Sequence, residues 1–372
     1  MRTDESVSGA DGDSPPGPGP RSRSRWRPRW RPGWRPRRRA VIWTSAVLAL
    51  VLVGLPGSAA LALRLAYAGD LRPDAHTRGR DAIWLGHAWV DGRKDDGDLA
   101  AFARRIEGTG IRDLYVHTGP LEHDGTLSPA KHPRARWLVD AVHREPPDVR
   151  VHSFLGNVLV YGREDGEAVR LANADSRRGI VDSARTVMEL GFDGVHLDME
   201  PVRSGDGDFL RLLDEVRAPV REHDGVLSVA AHQIDPLPQV HRVALAVTNH
   251  GKYWAQAYFG QVADRVDQIA MMSYDAWMPA ESLYGGFLAH QTRLALEVTP
   301  RDTDLLMGLP FYSEPDLTHR AETVAAVRGI RLGLGRQDAD RERFGVALYI
   351  DFAATEEDWA AYRRGWVAPA SG

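Results

Sequence analysis

Eight short apolar runs, separated by stretches of helical spacing, govern what residues 81–372 can fold into. They are AIWLGHAWV (82–90), IRDLYVHT (111–118), VRVHSFLG (149–156), FDGVHLDME (192–200), VLSVAAHQ (226–233), DQIAMMSYD (267–275), DLLMGLPFY (304–312) and GVALYIDF (345–352). None alternates cleanly, as expected of strands covered on both faces. Between them, SRRGIVDSARTVMELG places Ile180, Val181, Ala184, Val187 and Met188 at helical spacing, with Gly191 as a stop. DGDFLRLLDEVRAPVREH, THRAETVAAVRGIRLGL and TEEDWAAYRRGW follow the same pattern. Eight strand–helix repeats predict an α/β fold, a (β/α)8 TIM barrel over 81–372. An open doubly wound sheet is the alternative, but no Gly-rich phosphate fingerprint follows the first run.

Polar and aromatic groups gather at the carboxyl ends of these runs: His87 and Trp89, His117, Ser153, Asp198 and Glu200, His232 and Gln233, Tyr274 and Asp275, Tyr312, Tyr349 and Asp351. Any one of them is a polar strand end meeting water. Together they mark the mouth where barrels of this kind carry their active sites.

The fourth run is the densest. His196, Asp198 and Glu200 stand two residues apart, so strand alternation turns all three to one face, into the barrel or its mouth. Ionisable groups stacked in a low-dielectric site couple, and their pKa values are pushed apart. Such an arrangement can keep one carboxylic acid protonated while its neighbour stays ionised. A hydrogen-bonded plug and a metal site, with His87, His152 or His232 as further ligands, are the rival readings. No HExxH-type spacing supports a metal, and none is expected.

DGVHLDME resembles the DxxDxDxE signature of glycoside hydrolase family 18, the chitinase-like barrels, with His196 in place of the second Asp. VHSFLGN is similar to that family's third-strand segment, MMSYD to its sixth-strand MxYD, LLMGLPFYS to its seventh, and GVALYIDF to its eighth, where Tyr349 stands for a usual Trp. The resemblance covers about residues 80–352. It implies Glu200 as the general acid, and Asp198 as the group that orients the substrate's own 2-acetamido nucleophile. It further implies Tyr274 as hydrogen-bond donor to the acetamido carbonyl, Asp275 as a sugar-holding residue, and Asp193 and His196 in support. Trp89, Trp277, Tyr312 and Tyr349 are candidate sugar-stacking surfaces. No cofactor is implied.

Ahead of the barrel, residues 1–39 hold eleven Arg against four acids in a Pro-interrupted, Trp-containing tract that cannot bury a core and is expected to be disordered. Removing it from the whole-chain count leaves 36 Lys and Arg against 47 Asp and Glu, an acidic body with no nucleic-acid-binding charge. Residues 40–63 then run twenty-four positions without a charge, enough at ~1.5 Å per residue to span a ~30 Å hydrocarbon core. The expected layout is a cytoplasmic tail (1–39), a single-pass signal-anchor helix (40–63), a tether (64–80) and an extracytoplasmic barrel, secreted if the anchor is cleaved. The absence of cysteine excludes disulfides and thiolate chemistry.

The expected function is a membrane-anchored glycosidase that cleaves a β-linked N-acetylglucosamine-containing glycan, chitin-like, cell-wall or N-linked, by substrate-assisted retaining hydrolysis. The alternatives are a catalytically impaired chitinase-like carbohydrate-binding protein, and a hydrolase of another barrel family with Asp275 or Asp351 as second carboxylate.

Overall fold

A computed structural model of the chain describes residues 54–144, 149–161, 168–248, 251–274, 276, 278–312 and 322–368. Eight strands close into a barrel: β1 (Asp81–Leu85), β2 (Ile111–Pro120), β3 (Arg150–Val158), β4 (Gly194–Glu200), β5 (Val226–Ala231), β8 (Gln268–Met271), β9 (Asp304–Pro310) and β10 (Phe344–Tyr349). Every neighbouring pair is parallel, and β1 meets β10 through Ala82 opposite Ala347. The short strands β6 (Gln233–Ile234) and β7 (Tyr253–Trp254) pair outside the barrel. Each of the eight apolar runs supplies one barrel strand. The first ends five residues early, because Gly86 gives its N–H to Asp351 Oδ1 (2.8 Å) and His87–Trp89 turns into a 3-10 helix.

Alternation sorts the strand residues into two sets. Ile83, Leu114, Val116, Val151, Val195, Leu197, Leu227, Val229, Ile269, Leu305, Met307 and Val346 belong to the aliphatic core shared with the helices. Their alternates point inward, and that set is mixed: Ala82, Trp84, Tyr115, Ala270, Leu306 and Ala347 pack together, alongside buried His152, His196, Ser228 and Gln268. The filled interior explains why the runs did not alternate between apolar and polar.

Below this set, Asp113 accepts from Arg150 Nε (2.7 Å), His152 Nε2 (2.8 Å) and Gln268 Nε2 (2.8 Å). His152 and Arg150 hold the Asp113 carboxyl well below its usual range, against the opposing effect of burial. At the seam, Asp81 is fully buried and takes four donors: Thr77 Oγ1 (2.9 Å), Val346 N (3.0 Å), Tyr362 OH (2.7 Å) and Trp366 Nε1 (3.0 Å). One carboxyl thus ties the first strand to the last and to the carboxyl-terminal helix.

The expected basic tail 1–39, and residues 40–53 of the expected membrane span, lie outside the described residues. From the rest of that span the chain forms a helix over Leu55–Tyr67. Among the described residues, no helix is long and apolar enough to cross a membrane. Residues 64–80, expected as a tether, are packed on the barrel. Gly285 and Gly286 of the helix Glu281–Val298 have no side chain to hold Tyr67 and Leu63 away. Tyr67 OH bonds Glu281 (2.8 Å), Arg336 Nη1 bonds the Ala66 carbonyl (2.5 Å), and Arg331 Nε bonds that of fully buried Ala75 (2.6 Å).

Candidate active site

The site grows from β4. Its inward positions 196, 198 and 200 rise from the sealed interior to solvent: His196 is fully buried, Asp198 half-buried and Glu200 exposed. β3 runs beside it in the register Gly156 to Asp198 and Val158 to Glu200. Gly156 is required there, since a Cβ would sit 2.5 Å from the Asp198 carbonyl oxygen. At the end of β8, Tyr274 enters the mouth above Gly308 of β9, where a Cβ would lie 2.8 Å from Tyr274 Cδ1.

His196 has both ring nitrogens engaged. Trp84 Nε1 donates to Nε2 (3.2 Å), and Nδ1 meets Ser228 Oγ at 2.8 Å. The ring also stacks on Tyr115, centroids 3.8 Å apart and planes 12° from parallel. An indole N–H only donates, so Nε2 carries the lone pair and Nδ1 the proton. Burial and the neighbouring His152 push the imidazole well below its ordinary pKa, so it is neutral. It gives no hydrogen bond to Asp198, two residues further along β4. Its partners come from β1 and β5 instead.

The charged neighbour of Asp198 is Glu200. Asp198 Oδ1 is buried and, among the described residues, has no hydrogen-bond partner, and burial, then the charge of Glu200, raises its carboxyl well above the usual range. Over the pair stand two tyrosines, Tyr274 and Tyr349, stacked with centroids 4.6 Å apart and planes at 11°. Both phenols are pushed up by burial and by the negative charge of Asp198 and Glu200, which puts all four groups in one electrostatic neighbourhood. Tyr312 stands edge-on to each ring at 6.2 Å, and Trp84 closes the floor at 6.1 Å from Tyr274 and 5.6 Å from Tyr349. Chemically this is a proton-holding carboxyl pair beneath an aromatic wall, with one buried carboxyl oxygen still to be satisfied.

Other candidates fall elsewhere. Asp193 lies at the amino end of β4, away from the mouth, where its Oδ2 accepts from Val151 N (2.7 Å) and meets His143 Nε2 (3.0 Å). Trp89 is only 3 % exposed, packed edge-on against Phe102 and under Lys94, so it offers no face to a sugar. Its indole donates instead to Asp351 Oδ2 (2.8 Å). Asp351, with Gly86 N on its other oxygen, is a brace for the β1 turn. Asp275 and Trp277 lie outside the described residues. Among the described residues no group of three or more His, Cys, Asp and Glu is placed to hold a metal ion. Of the proposed ligands, His152 Nε2 is committed to Asp113 and His196 to Trp84 and Ser228.

No family model and no curated protein matches the sequence. Solved structures do match. The spore cortex-lytic enzyme SleL of Bacillus cereus is similar over 77 % of this chain and 74 % of its own, at 12 % identity and a TM-score of 0.54. SleL of Bacillus megaterium matches over 78 % and 75 %, at 12 % identity and a TM-score of 0.51. A chitinase from Chromobacterium violaceum matches over 76 % and 98 %, at 16 % identity and a TM-score of 0.50. The likeness is one of fold.

Sequence reasoning missed Trp84, Tyr115 and Ser228, which build the floor of the site. Trp84 and His196 are 112 positions apart, and only barrel closure brings them together. The one available signal was strand alternation, which turns Trp84 to the same interior as His196.

Proposed function

We propose that the chain is a glycoside hydrolase of the family 18 type, acting by substrate-assisted retaining cleavage on a β-linked N-acetylglucosamine-containing glycan. Asp198 carries this reading. A buried carboxyl oxygen without a partner costs about 1–3 kcal/mol in the free protein, and the N–H of a bound 2-acetamido group would satisfy it. In that complex Asp198 orients the acetamido group, Glu200 protonates the departing glycosidic oxygen, and Tyr274 bonds the acetamido carbonyl as it attacks. The resemblance of DGVHLDME and MMSYD, and a fold like those of a chitinase and of spore cortex-lytic enzymes, support the same reading.

The test is hydrolysis of N-acetylglucosamine oligosaccharides and of cell-wall glycan by the full chain and by Glu200→Gln, following the anomer first released. Turnover with retention, lost in the variant, is expected. No turnover on either substrate, or equal turnover by the variant, overturns the reading.

A second reading, a glycan-binding protein without turnover, is favoured by the engagement of His196 away from Asp198. Position 196 supplies no third carboxyl, and its imidazole, bonded to Trp84 and Ser228, makes no proton-relay contact with Asp198. Calorimetric glycan binding without hydrolysis would support it.

The uncharged run 40–63 and the Arg tract before it carry the further proposal of a single-pass anchor with the barrel outside the cytoplasm. Retention in the membrane pellet after alkaline carbonate extraction is the expected result, and release of the full-length chain would refute it.

A further inference from the structure

At the amino-terminal end of the barrel, away from the mouth, a cleft of about 560 Å³ opens where β2 and β3 begin, within the size range of small-molecule sites. Arg112 and Arg150 line it. A bulge brings Arg112 there: Asp81 of β1 pairs with Ile111, and the next residue, Ala82, pairs with Asp113, so Arg112 is the extra residue of β2. Bulges at barrel rims re-aim a side chain. We propose that this cleft binds a phosphate group, carried by a free phosphomonoester or by a lipid headgroup. The site lies at the other end of the barrel from Asp198 and Glu200 and does not depend on the hydrolase reading.

The charges around Arg112 do not balance. Arg150 gives Nε and Nη2 to Asp113 (2.7 and 2.9 Å), and Asp304 is shared by Arg80 (3.2 Å) and Arg343 (3.6 Å). Fully buried Asp81, behind Gly110 in the cleft wall, is a third carboxyl. With all three carboxyls counted as charged, the four guanidiniums still outnumber them. Arg112 is the one of the four that has no hydrogen bond or ion pair among the described residues. Burial, and then the like charge of Arg150, makes its cation harder to hold and lowers its pKa. A guanidinium does not escape by losing its proton, so it gains from an anion.

Two guanidiniums can share that anion. Arg112 is unspent, and Arg150 keeps Nη1 after its two bonds to Asp113. Asp113 stands opposite Arg150 in the register of β2 with β3, so the two arginines start from adjacent strands at the same level. A tetrahedral phosphate has oxygens for both at once, whereas a single guanidinium fork satisfies a carboxylate.

The probe is glycerol phosphate, titrated by calorimetry into the full chain in neutral detergent, with acetate for comparison. Glycerol phosphate should bind at least about tenfold more tightly than acetate, and more weakly as salt rises. Arg112→Gln should weaken its binding by about tenfold or more, and Arg112→Lys by less, since the charge stays and the fork is lost. Without ligand, Arg112→Gln should melt no lower than the wild type, because no internal bond is removed. Micelles carrying phosphatidylglycerol distinguish the sources: displacement of glycerol phosphate assigns the site to a headgroup, and undisturbed binding assigns it to a free phosphomonoester. Equal affinity for acetate, no phosphate binding, or binding unchanged in Arg112→Gln overturns the proposal. So does a lower melting temperature of unliganded Arg112→Gln, which would show that the cation already serves an internal carboxylate.

Discussion

Trp84 and His196, on strands across the barrel from one another, share a hydrogen bond of 3.2 Å from indole Nε1 to imidazole Nε2. The bond fixes which nitrogen holds the proton, and it turns the imidazole away from the carboxyl two residues further along. His196 thereby belongs to the floor of the site, with Ser228 and Tyr115, while Asp198 and Glu200 form the chemistry above it. His196→Ala would strand the Trp84 N–H in the interior and leave a cavity beneath the mouth. The expected cost is about 2–4 kcal/mol in denaturant unfolding, from the lost bonds and the void together. A loss below about 1 kcal/mol would show that the floor is not held by this residue.

Tyr274→Phe removes one hydroxyl and keeps the ring stacked on Tyr349. If the phenol acts only on the developing acetamido charge, kcat falls about 10²-fold while KM changes little. Equal effects on both constants would assign the hydroxyl to ground-state binding.

Gly308→Ala tests how tightly Tyr274 is placed. The added methyl would lie 2.8 Å from Tyr274 Cδ1 and 2.6 Å from the Met271 carbonyl oxygen, so the ring or the end of β8 must shift. Turnover should drop at least about tenfold, since small misplacements of catalytic groups are costly. Wild-type turnover in this variant would contradict the close fit.

Asp198 makes stability depend on pH in a definite direction. Its folded pKa is raised above the ordinary 3.8 by burial and by Glu200, so the folded state holds the proton more tightly than the unfolded chain. Its contribution is most favourable below 3.8 and is lost as pH rises from there through the folded value. Asp198→Asn should abolish that decline and raise the unfolding free energy at neutral pH while destroying activity. Thermal melts across the pH range read both effects, and a variant less stable than wild type at pH 7 would contradict them.

Histidines bound the other side. Burial, with His87 nearby, lowers His117 from 6.5 to about 4, and His196 is lowered as well. Both bind protons more weakly folded than unfolded, so their stabilisation is complete above about 6.5 and is lost as pH falls below it, for His117 through the window down to about 4. His117→Asn should flatten the acid limb of the stability curve there, and an unchanged slope would exclude His117 as its source.

The barrel was legible because each strand is buried on both faces, which leaves apolar runs of strand length punctuated by helical spacing. The carboxyls of the site were legible for a simpler reason: alternation alone stacks 196, 198 and 200. What could not be read was the partner of each group. His196 looks, in sequence, like a neighbour of Asp198, yet its bonds go to residues 84 and 228, which reach it only across a closed barrel. Trp89 reads as an aromatic at the mouth, but the 3-10 turn after β1 folds it inward onto Phe102 and Asp351. Burial of one aromatic and exposure of another depend on how a loop leaves its strand, which single-residue patterns do not encode.

The seam at Asp81 has a temporal side. β1 is among the first barrel segments to be synthesised, and one of its two edges is completed only by β10, some 260 residues later. Until then a nascent chain exposes an unpaired parallel edge, together with a carboxyl whose donors at 346, 362 and 366 have yet to be made. Closure of so long a loop is slow and invites association through the open edge. Folding of this barrel is therefore a race between the completion of its last strand and the capture of its first by another chain.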